Sequence, residues 1–323
     1  MNRRYFIQET SGALALLSCF PADLSVIGRF KDPAKLERRS LGKTGERLSI
    51  LGFGGIVVMN GTPKEASQRV GEAIDAGINY FDVAPSYGNA EERLGPALEP
   101  YRKKVFLACK TTERSKAGAA AELERSLKKM RTDHFDLYQL HAVTVLDEVD
   151  EIFSSNGALE AFRGAQQAGK VRFLGFSAHS VEAAMALMER FDFDTILFPV
   201  NFATWHAGNF GPEVLAKARS KQMGILALKA MAKRRLPKGE KKRYPKCWYE
   251  PLDVLSEAML GLRFTLSHPV TAAIPPGDEN LFRMALGLAA DFAPLTPQEV
   301  ETVKEKAMKE DPIFRYPQGD SPS

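Results

Sequence analysis

The stretch that decides the fold runs from residue 77 to residue 98 and reads GINYFDVAPSYGNAEERLGPAL. Residues 78–82 form a short apolar run, typical of a buried β-strand, that ends in the carboxylate of Asp82. A turn with Pro85 and Gly88 follows, and residues 91–98 then repeat apolar side chains at steps of three and four. This order of strand, turn and helix predicts one βα unit.

The same unit recurs along most of the chain. Strand candidates lie at 49–52, 78–82, 105–110, 137–141, 171–177, 195–200, 224–229 and 271–274. Helical patterns lie at 64–76, 91–98, 116–130, 157–168, 181–190, 213–222, 251–267 and 281–290. Strict alternation of eight strands and eight helices predicts an α/β fold, a single-domain (β/α)8 TIM barrel, rather than two doubly wound halves. The run from Gly52 to Gly55 lacks the later glycine of a Gly-rich dinucleotide fingerprint, so a Rossmann start is discounted.

Composition excludes several other classes of protein. The chain has 323 residues, is 44% hydrophobic and 26% charged, and carries a formal net charge of +4. These values exclude a disordered chain, a collagen and a disulfide scaffold. Three cysteines, Cys19, Cys109 and Cys247, cannot build a disulfide framework or a four-thiolate metal site. The mildly basic balance alone gives no reason to expect a nucleic-acid partner, and no apolar run reaches the roughly 18–20 residues of a membrane span.

The first thirty residues are predicted to lie outside the barrel. Arg3 and Arg4 precede a weakly apolar stretch at 12–20, which is the charged-then-apolar order of an export signal. The arginine pair resembles a twin-arginine signal, which would engage the twin-arginine export machinery. Cys19 follows a segment similar to a lipoprotein cleavage box, which makes it a candidate for a lipid anchor. The alternatives are a chance arginine pair in a cytoplasmic tail and an ordinary thiol.

The predicted organisation is therefore a signal peptide at 1–30, the barrel at 31–311 and a flexible tail at 312–323. The expected localisation is periplasmic or exported, or cytoplasmic if the N-terminal segment is not a functional signal. The sequence leaves the oligomeric state open.

Four polar side chains stand at the ends of consecutive predicted strands, where barrel enzymes carry their active sites. They are Asp82, Tyr87, Lys110 and His141. An ammonium stabilises a nearby phenolate and so lowers the pKa of a tyrosine, and a carboxylate beside the lysine keeps the ammonium charged. A neutral imidazole can orient a carbonyl oxygen. Taken singly, each has a structural alternative, such as a buried-stem lysine or a core histidine; together they predict one catalytic group.

The residues around these four resemble the aldo-keto reductase family. Residues 77–95 are similar to the family's first signature, residues 125–141 to its second, and residues 169–177 to its fifth-strand region. The resemblance extends from about residue 41 to about residue 290. It implies that Tyr87 is the general acid, that Lys110 and Asp82 tune it, and that His141 orients the carbonyl. It also implies hydride transfer between NADPH and an aldehyde or ketone, with no metal.

On the cofactor side the resemblance implies contacts from Gly54, Gly55, Ser177, Leu228, Lys229 and Arg283. Two amides that hold the nicotinamide carboxamide in the family are replaced by Ala178 and Leu197. Asp278 stands near the position where the family often has a basic residue for the 2′-phosphate, and a carboxylate there would suit a ribose hydroxyl. The expected cofactor is NADP, with NAD open.

Residues 233–246 contain eight basic side chains and one acidic one. A solvated loop, a cover for the cofactor pyrophosphate and an anionic surface patch remain open as interpretations, with the cofactor cover favoured.

The preferred function is an exported, nicotinamide-dependent carbonyl reductase or alcohol dehydrogenase. The alternative is a low-turnover barrel that binds a nicotinamide nucleotide or a carbonyl ligand as a sensor. A barrel hydrolase or isomerase using Asp82 and His141 leaves Tyr87 and Lys110 without a role.

Overall fold

The computed structural model describes residues 36–317. The predicted signal peptide and Cys19 lie outside these residues, as does the end of the predicted tail. The first described element is an antiparallel hairpin of β1 (Arg38–Ser40) and β2 (Arg47–Ser49). Leu41 and Leu48 of this hairpin are fully buried in one cluster with side chains of the barrel interior, such as Leu137. The hairpin therefore adds to the inner core.

The predicted TIM barrel is confirmed, with eight parallel strands in chain order. The strands are β3 (Phe53–Gly54), β4 (Tyr80–Asp82), β5 (Phe106–Thr111), β6 (Phe135–Val143), β7 (Val171–Ala178), β8 (Thr195–Pro199), β9 (Gly224–Leu228) and β12 (Ala272–Ile274). Leu51 pairs with Ala273, and the Gly52 amide donates to the Ala273 carbonyl at 2.9 Å, which joins the first strand to the last. A second hairpin, β10 (Ala232–Arg235) and β11 (Tyr249–Pro251), follows β9.

Helices surround the strands. They are α1 (Pro63–Asp75), α2 (Ala90–Leu98), α3 (Lys116–Met130), α4 (Leu146–Ile152), α5 (Ala158–Gln167), α6 (Val181–Arg190), α7 (Phe202–His206), α8 (Pro212–Ser220), α9 (Leu255–Ser267), α10 (Glu279–Ala290) and α11 (Pro297–Ala307). Their starts follow local chemistry: Thr62 and Glu65 form a capping box at α1, with Pro63 in the first turn. Ala66, Val70 and Ala73 recur at helical spacing and are fully buried.

The first strand differs from its prediction. Residues 49–52 were expected to form it, but the barrel strand β3 begins directly after them, at Phe53, and ends at Gly54. Ser49 instead pairs with Arg38 in the first hairpin. The run from Ile50 to Phe53 shows no alternation of apolar and polar residues that would set the register of the strand. Arg38, the pairing partner of Ser49, lies outside the predicted barrel pattern.

Part of the predicted tail contacts the barrel. Ile313 is buried, Phe314 stacks on Phe210 at 5.0 Å between ring centroids, and the Tyr316 amide donates to the Gly208 carbonyl at 2.7 Å. Residues 312–317 therefore extend the packed part of the chain past α11. No helix among residues 36–317 is both long and apolar enough to cross a membrane.

Candidate active site

The four predicted catalytic side chains come together at the carboxyl ends of three neighbouring strands. Asp82 is the last residue of β4, Lys110 lies near the end of β5, and His141 lies near the end of β6. Tyr87 is in the turn between β4 and α2. All four line one cavity of about 210 Å³. The parallel sheet explains the convergence, because the carboxyl ends of its strands meet at one end of the barrel.

Asp82 and Lys110 form a buried ion pair. Their side chains are 2% and 1% exposed, and the Lys110 ammonium donates to Asp82 Oδ1 and to the Val83 carbonyl, the latter at 3.3 Å. The other carboxylate oxygen accepts from the Tyr80 hydroxyl at 3.1 Å and from the Gln139 amide at 3.2 Å. Burial alone would lower the pKa of Lys110, but the Asp82 carboxylate, together with Tyr87 and Cys109, outweighs burial and raises that pKa. The ammonium is therefore charged at neutral pH.

Tyr87 is half-buried beside this ion pair. The Lys110 ammonium lies 5.3 Å from the centre of the Tyr87 ring, and the His141 ring is almost perpendicular to that ring at 5.7 Å. Burial raises the pKa of Tyr87, and Lys110 opposes the rise. The lysine thus acts in the predicted direction, but burial is the larger effect. The phenol consequently holds its proton at neutral pH and is available as a donor.

His141 is held in its neutral form. Burial, followed by the nearby Lys110 charge, lowers the pKa of His141 to about 2. Ser86 Oγ lies 3.3 Å from His141 Nδ1, and the Arg114 guanidinium donates to the His141 carbonyl at 2.8 Å. The next residue, Ala142, has a left-handed backbone with φ 53°, which costs energy for any residue with a side chain. These contacts fix the imidazole at the end of β6.

The remaining cavity wall comes from the loops and strand ends opposite the four residues. These lining residues are Gly54, Ile56, Ser177, His179, Leu197, Leu228, Lys229, Lys246, Trp248, Tyr249, Ile274, Pro275, Pro276 and Gly277. A larger groove of about 1430 Å³ lies among residues at the amino-terminal ends of the strands, including Phe106 and Arg172. None of the four predicted catalytic residues lines that groove, so the small cavity is the candidate active site.

The cofactor-side residues separate into two groups. Gly54, Ser177, Leu228 and Lys229 line the cavity. Gly55 and Arg283, named in the sequence prediction, do not line it. A side chain on Gly55 would meet Val83 Cγ2 at 2.8 Å, so the glycine permits close packing of the chain after β3. Arg283 faces α1 instead, where its guanidinium donates to both oxygens of Glu72, at 3.1 and 3.2 Å.

A nicotinamide ring in this cavity would meet mainly apolar side chains. Leu197, Leu228 and Ile274 supply its aliphatic wall. Ser177 adds a buried hydroxyl that accepts from the Ala142 amide at 2.7 Å, which leaves its own proton free to donate. Ala178 is fully buried and Leu197 is apolar, so the two amides of the family pattern have no counterpart at these positions.

Among the lining residues with polar or aromatic side chains, His179, Trp248 and Tyr249 were not predicted from the sequence, whereas Lys246 belongs to the basic loop favoured as a cofactor cover. Lys246, Trp248 and Tyr249 belong to a strap, residues 246–249, that runs into the start of β11 and lines the cavity. Lys246 fastens the strap to the segment after β3, because its ammonium donates to the Val57 carbonyl at 2.7 Å. The adjacent aromatic residues Trp248 and Tyr249 after the basic loop were the sequence feature that could have indicated a cavity wall. Their position, however, depends on the pairing of β10 with β11.

Four of the eight basic side chains of the loop are paired with acidic ones, including Arg235 with Asp311 at 3.8 Å. Lys233 pairs with Glu257 at 3.2 Å, Arg234 pairs with Glu250 at 2.6 Å, and Arg243 reaches Asp253. Within 233–246, Lys246 is the residue that lines the cavity. Cys109 and Cys247 are both buried free thiols. Among residues 36–317 no cluster of three or more histidine, cysteine or acidic side chains could hold a metal ion.

Comparisons with known proteins agree with this geometry. The model of the "Aldo/keto reductase family" matches residues 51–307. The oxidoreductase YqkF of Bacillus subtilis is 35% identical over 158 residues, which cover 44% of this chain and 49% of that protein. Aldo-keto reductase YhdN of the same organism is 33% identical over 166 residues, or 46% of this chain and 48% of the relative. The matches thus span about half the length of these curated relatives.

A solved structure shares the fold. The holo form of aldo-keto reductase AKR11C1 from Bacillus halodurans superposes with a TM-score of 0.67 at 24% identity, covering 88% of this chain and 99% of that one.

Proposed function

The chain belongs to the aldo/keto reductase family, and we propose from this that it is a nicotinamide-dependent oxidoreductase acting on the carbonyl group of an aldehyde or ketone. The observation that carries the proposal is the placement of the Tyr87 ring, 5.3 Å from the Lys110 ammonium and 5.7 Å from the His141 ring, at the wall of a small cavity. A phenol, an ammonium and a neutral imidazole together suit proton transfer to a carbonyl oxygen.

The residues divide the work as follows. Neutral His141 orients the carbonyl oxygen toward Tyr87, which donates its proton as negative charge develops on that oxygen. The Lys110 ammonium, kept charged by Asp82, stabilises the phenolate that remains. A bound reduced nicotinamide would supply the hydride, and Leu197, Leu228 and Ser177 are the residues that would hold its ring. Such general acid catalysis contributes roughly 10²–10⁴-fold to a rate.

The charged side chains after β12 bear on the choice between NAD and NADP. Asp278 caps α10, accepting from the amides of Asn280 and Leu281 at 2.9 and 3.3 Å. Arg283 is paired with Glu72, and Arg69 with Glu279. No uncommitted arginine was found among these residues to meet a 2′-phosphate, which supports use of NAD beside the expected NADP. KM values for NADH and NADPH with one aldehyde would measure the preference.

The test of the activity uses purified protein, NADPH or NADH, and a panel of aldehydes, with loss of reduced-cofactor absorbance as the readout. Wild type should turn over at least one aldehyde, and Tyr87→Phe should lose roughly 10²-fold or more in kcat. Tyr101→Phe, outside the cavity, is the matched control. Equal rates for wild type and Tyr87→Phe across the panel would end the proposal.

A second candidate is a low-turnover barrel that binds a nicotinamide nucleotide or a carbonyl ligand as a sensor. The observation in its favour is the replacement of both carboxamide contacts by the apolar Ala178 and Leu197. Saturable nucleotide binding by fluorescence or calorimetry, without turnover of any aldehyde, would favour the sensor over the enzyme.

For the N-terminal segment we propose export, on the basis of Arg3 and Arg4 ahead of an apolar stretch. Cell fractionation should place the protein outside the cytoplasm, and replacing both arginines with lysine should retain it inside. Labelling with a palmitate analogue tests Cys19 as a lipid anchor, because an unlabelled exported protein would rule the anchor out.

A further inference from the structure

Lys229, directly after β9, is a cavity residue whose charge has no acidic partner. Within the part of the chain that the structure describes, residues 36–317, its side chain forms no hydrogen bond and no ion pair, and its ammonium faces two aromatic rings instead. Of the other two lysines that line the cavity, Lys110 is paired with Asp82 and Lys246 donates to the Val57 carbonyl. A cation without a carboxylate partner in a largely enclosed cavity is costly unless a ligand supplies the negative charge.

The surroundings of Lys229 hold it toward the cavity. Its ammonium lies 5.1 Å from the centre of the Trp248 ring and 5.0 Å from that of Tyr249. Aromatic faces attract a cation and also exclude water from it. The Lys229 backbone is left-handed, with φ 65°, a conformation that L residues adopt at an energetic cost and that recurs at functional sites.

The charge balance of the cavity is positive. Asp82 is the one carboxylate among its lining residues, and it is already bound to Lys110, Tyr80 and Gln139. Lys246 donates to a backbone carbonyl, which leaves its charge uncompensated within hydrogen-bond distance.

The titration behaviour of the neighbours agrees with this balance. Burial, with Lys110 adding to it, lowers the pKa of Lys229 to about 8, while Cys247 opposes the change. Burial and the Lys229 charge lower the pKa of His179 to about 4. An anion beside Lys229 would relieve both effects.

We propose that Lys229, flanked by Trp248 and Tyr249, binds an oxyanion on the carbonyl substrate, so that this protein prefers small aldehydes or ketones that carry a carboxylate or phosphate. This inference rests on the proposed oxidoreductase function. The cavity of about 210 Å³ limits the substrate to a short chain between its carbonyl and its anionic group. The other source of an oxyanion is the cofactor pyrophosphate, and the experiment separates the two.

The experiment compares succinic semialdehyde with its neutral methyl ester, which share the reacting aldehyde. For wild type, kcat/KM should be roughly tenfold or more higher for the acid, as expected for a charge-assisted hydrogen bond. Lys229→Met, similar in length but uncharged, should remove most of that ratio, and Lys229→Arg should restore much of it. The ratio cancels any effect of Lys229 on the cofactor. Lys233→Met, whose lysine is paired with Glu257, is the control and should keep the wild-type ratio.

Two outcomes would overturn the proposal. One is an acid-to-ester ratio near one in wild type; the other is an unchanged ratio in Lys229→Met with a raised cofactor dissociation constant, which assigns Lys229 to the pyrophosphate. A binding assay keeps the inference separate from the activity: succinate should quench the tryptophan fluorescence saturably in wild type and not in Lys229→Met. Quenching without turnover would support the anion subsite and refute the proposed function. Turnover without quenching, and without preference for the acid over the ester, would support the proposed function and refute the anion subsite.

Discussion

Replacement of Asp82 by asparagine removes the carboxylate that neutralises the buried Lys110 while keeping the shape of the side chain. In wild type the two side chains are 2% and 1% exposed, and the carboxylate also accepts from Tyr80 and Gln139. Removing one partner of a buried pair leaves an uncompensated charge, which costs roughly 3–5 kcal/mol. We therefore expect Asp82→Asn to lose about 3 kcal/mol in free energy of unfolding at pH 7.

The pH dependence gives the prediction its sign. The carboxylate raises the pKa of Lys110 in the folded wild type, so its contribution to stability is present below the ordinary lysine pKa and disappears only as pH rises through the folded value. In Asp82→Asn burial remains without the carboxylate, so the folded pKa falls below the unfolded one. The stability deficit of the variant should then shrink as pH is raised from 7 toward 9.5.

The assay is denaturant unfolding of the full chain at several pH values, with the slope m compared between variants. Asp150→Asn makes the same substitution in an exposed pair with Arg190, and it should change stability by less than about 1 kcal/mol. The double variant Asp82→Asn/Lys110→Met should be less destabilised than the sum of its single variants. An Asp82→Asn protein as stable as wild type, or a deficit that grows with pH, would refute this reasoning.

Three further predictions concern other parts of the molecule. His141, with its pKa lowered to about 2, should stay neutral from pH 5 to 9, so that kcat/KM shows no step near pH 6.5 from this residue. Because only the unfolded chain protonates this histidine near pH 6.5, its contribution to stability should fall as pH falls below that value. An NMR titration of its ring carbons in the folded protein near pH 6.5 would contradict this. Gly95→Ala should lose roughly 2 kcal/mol or more in denaturant unfolding, because its Cβ would lie 2.5 Å from a backbone oxygen of α3. Gly164→Ala, in α5 with open space around it, should instead gain about 0.5–1 kcal/mol, and a loss at both positions would show that the close approach is not the cause. Lys246→Met removes the bond to the Val57 carbonyl and should raise hydrogen exchange in the strap, residues 246–249; unchanged exchange would show that this bond does not fasten it.

The barrel could be predicted because each βα unit carries its own local signal. The run 78–82 and the helix after it show the periods of strand and helix within about twenty residues, and Asp82 and Tyr87 belong to that same unit. Lys110 and His141 could then be predicted to lie beside Asp82 and Tyr87, because parallel strands bring their carboxyl ends together. The convergence of these four residues could be predicted from the order of the strands alone, without knowledge of side-chain contacts.

The parts that could not be predicted depend on contacts between distant segments. The register of the first strand is fixed by pairing of Ser49 with Arg38 and of Leu51 with Ala273, which no local pattern shows. Arg283 was expected near the cofactor, but Glu72 on α1, 211 positions away in sequence, binds it. The strap that lines the cavity depends on the β10–β11 hairpin, whose strands are separated by a loop without periodicity. Long-range pairing of this kind is set by tertiary packing.

The most direct test of the central claim is a single-turnover reaction with reduced cofactor dideuterated at C4 of the nicotinamide, followed by mass spectrometry and NMR of the alcohol. The account predicts one deuterium on the former carbonyl carbon, a hydroxyl proton derived from solvent, and product formation slowed roughly 10²-fold or more in Tyr87→Phe. Product without deuterium, or formed as fast by Tyr87→Phe as by wild type, would contradict it.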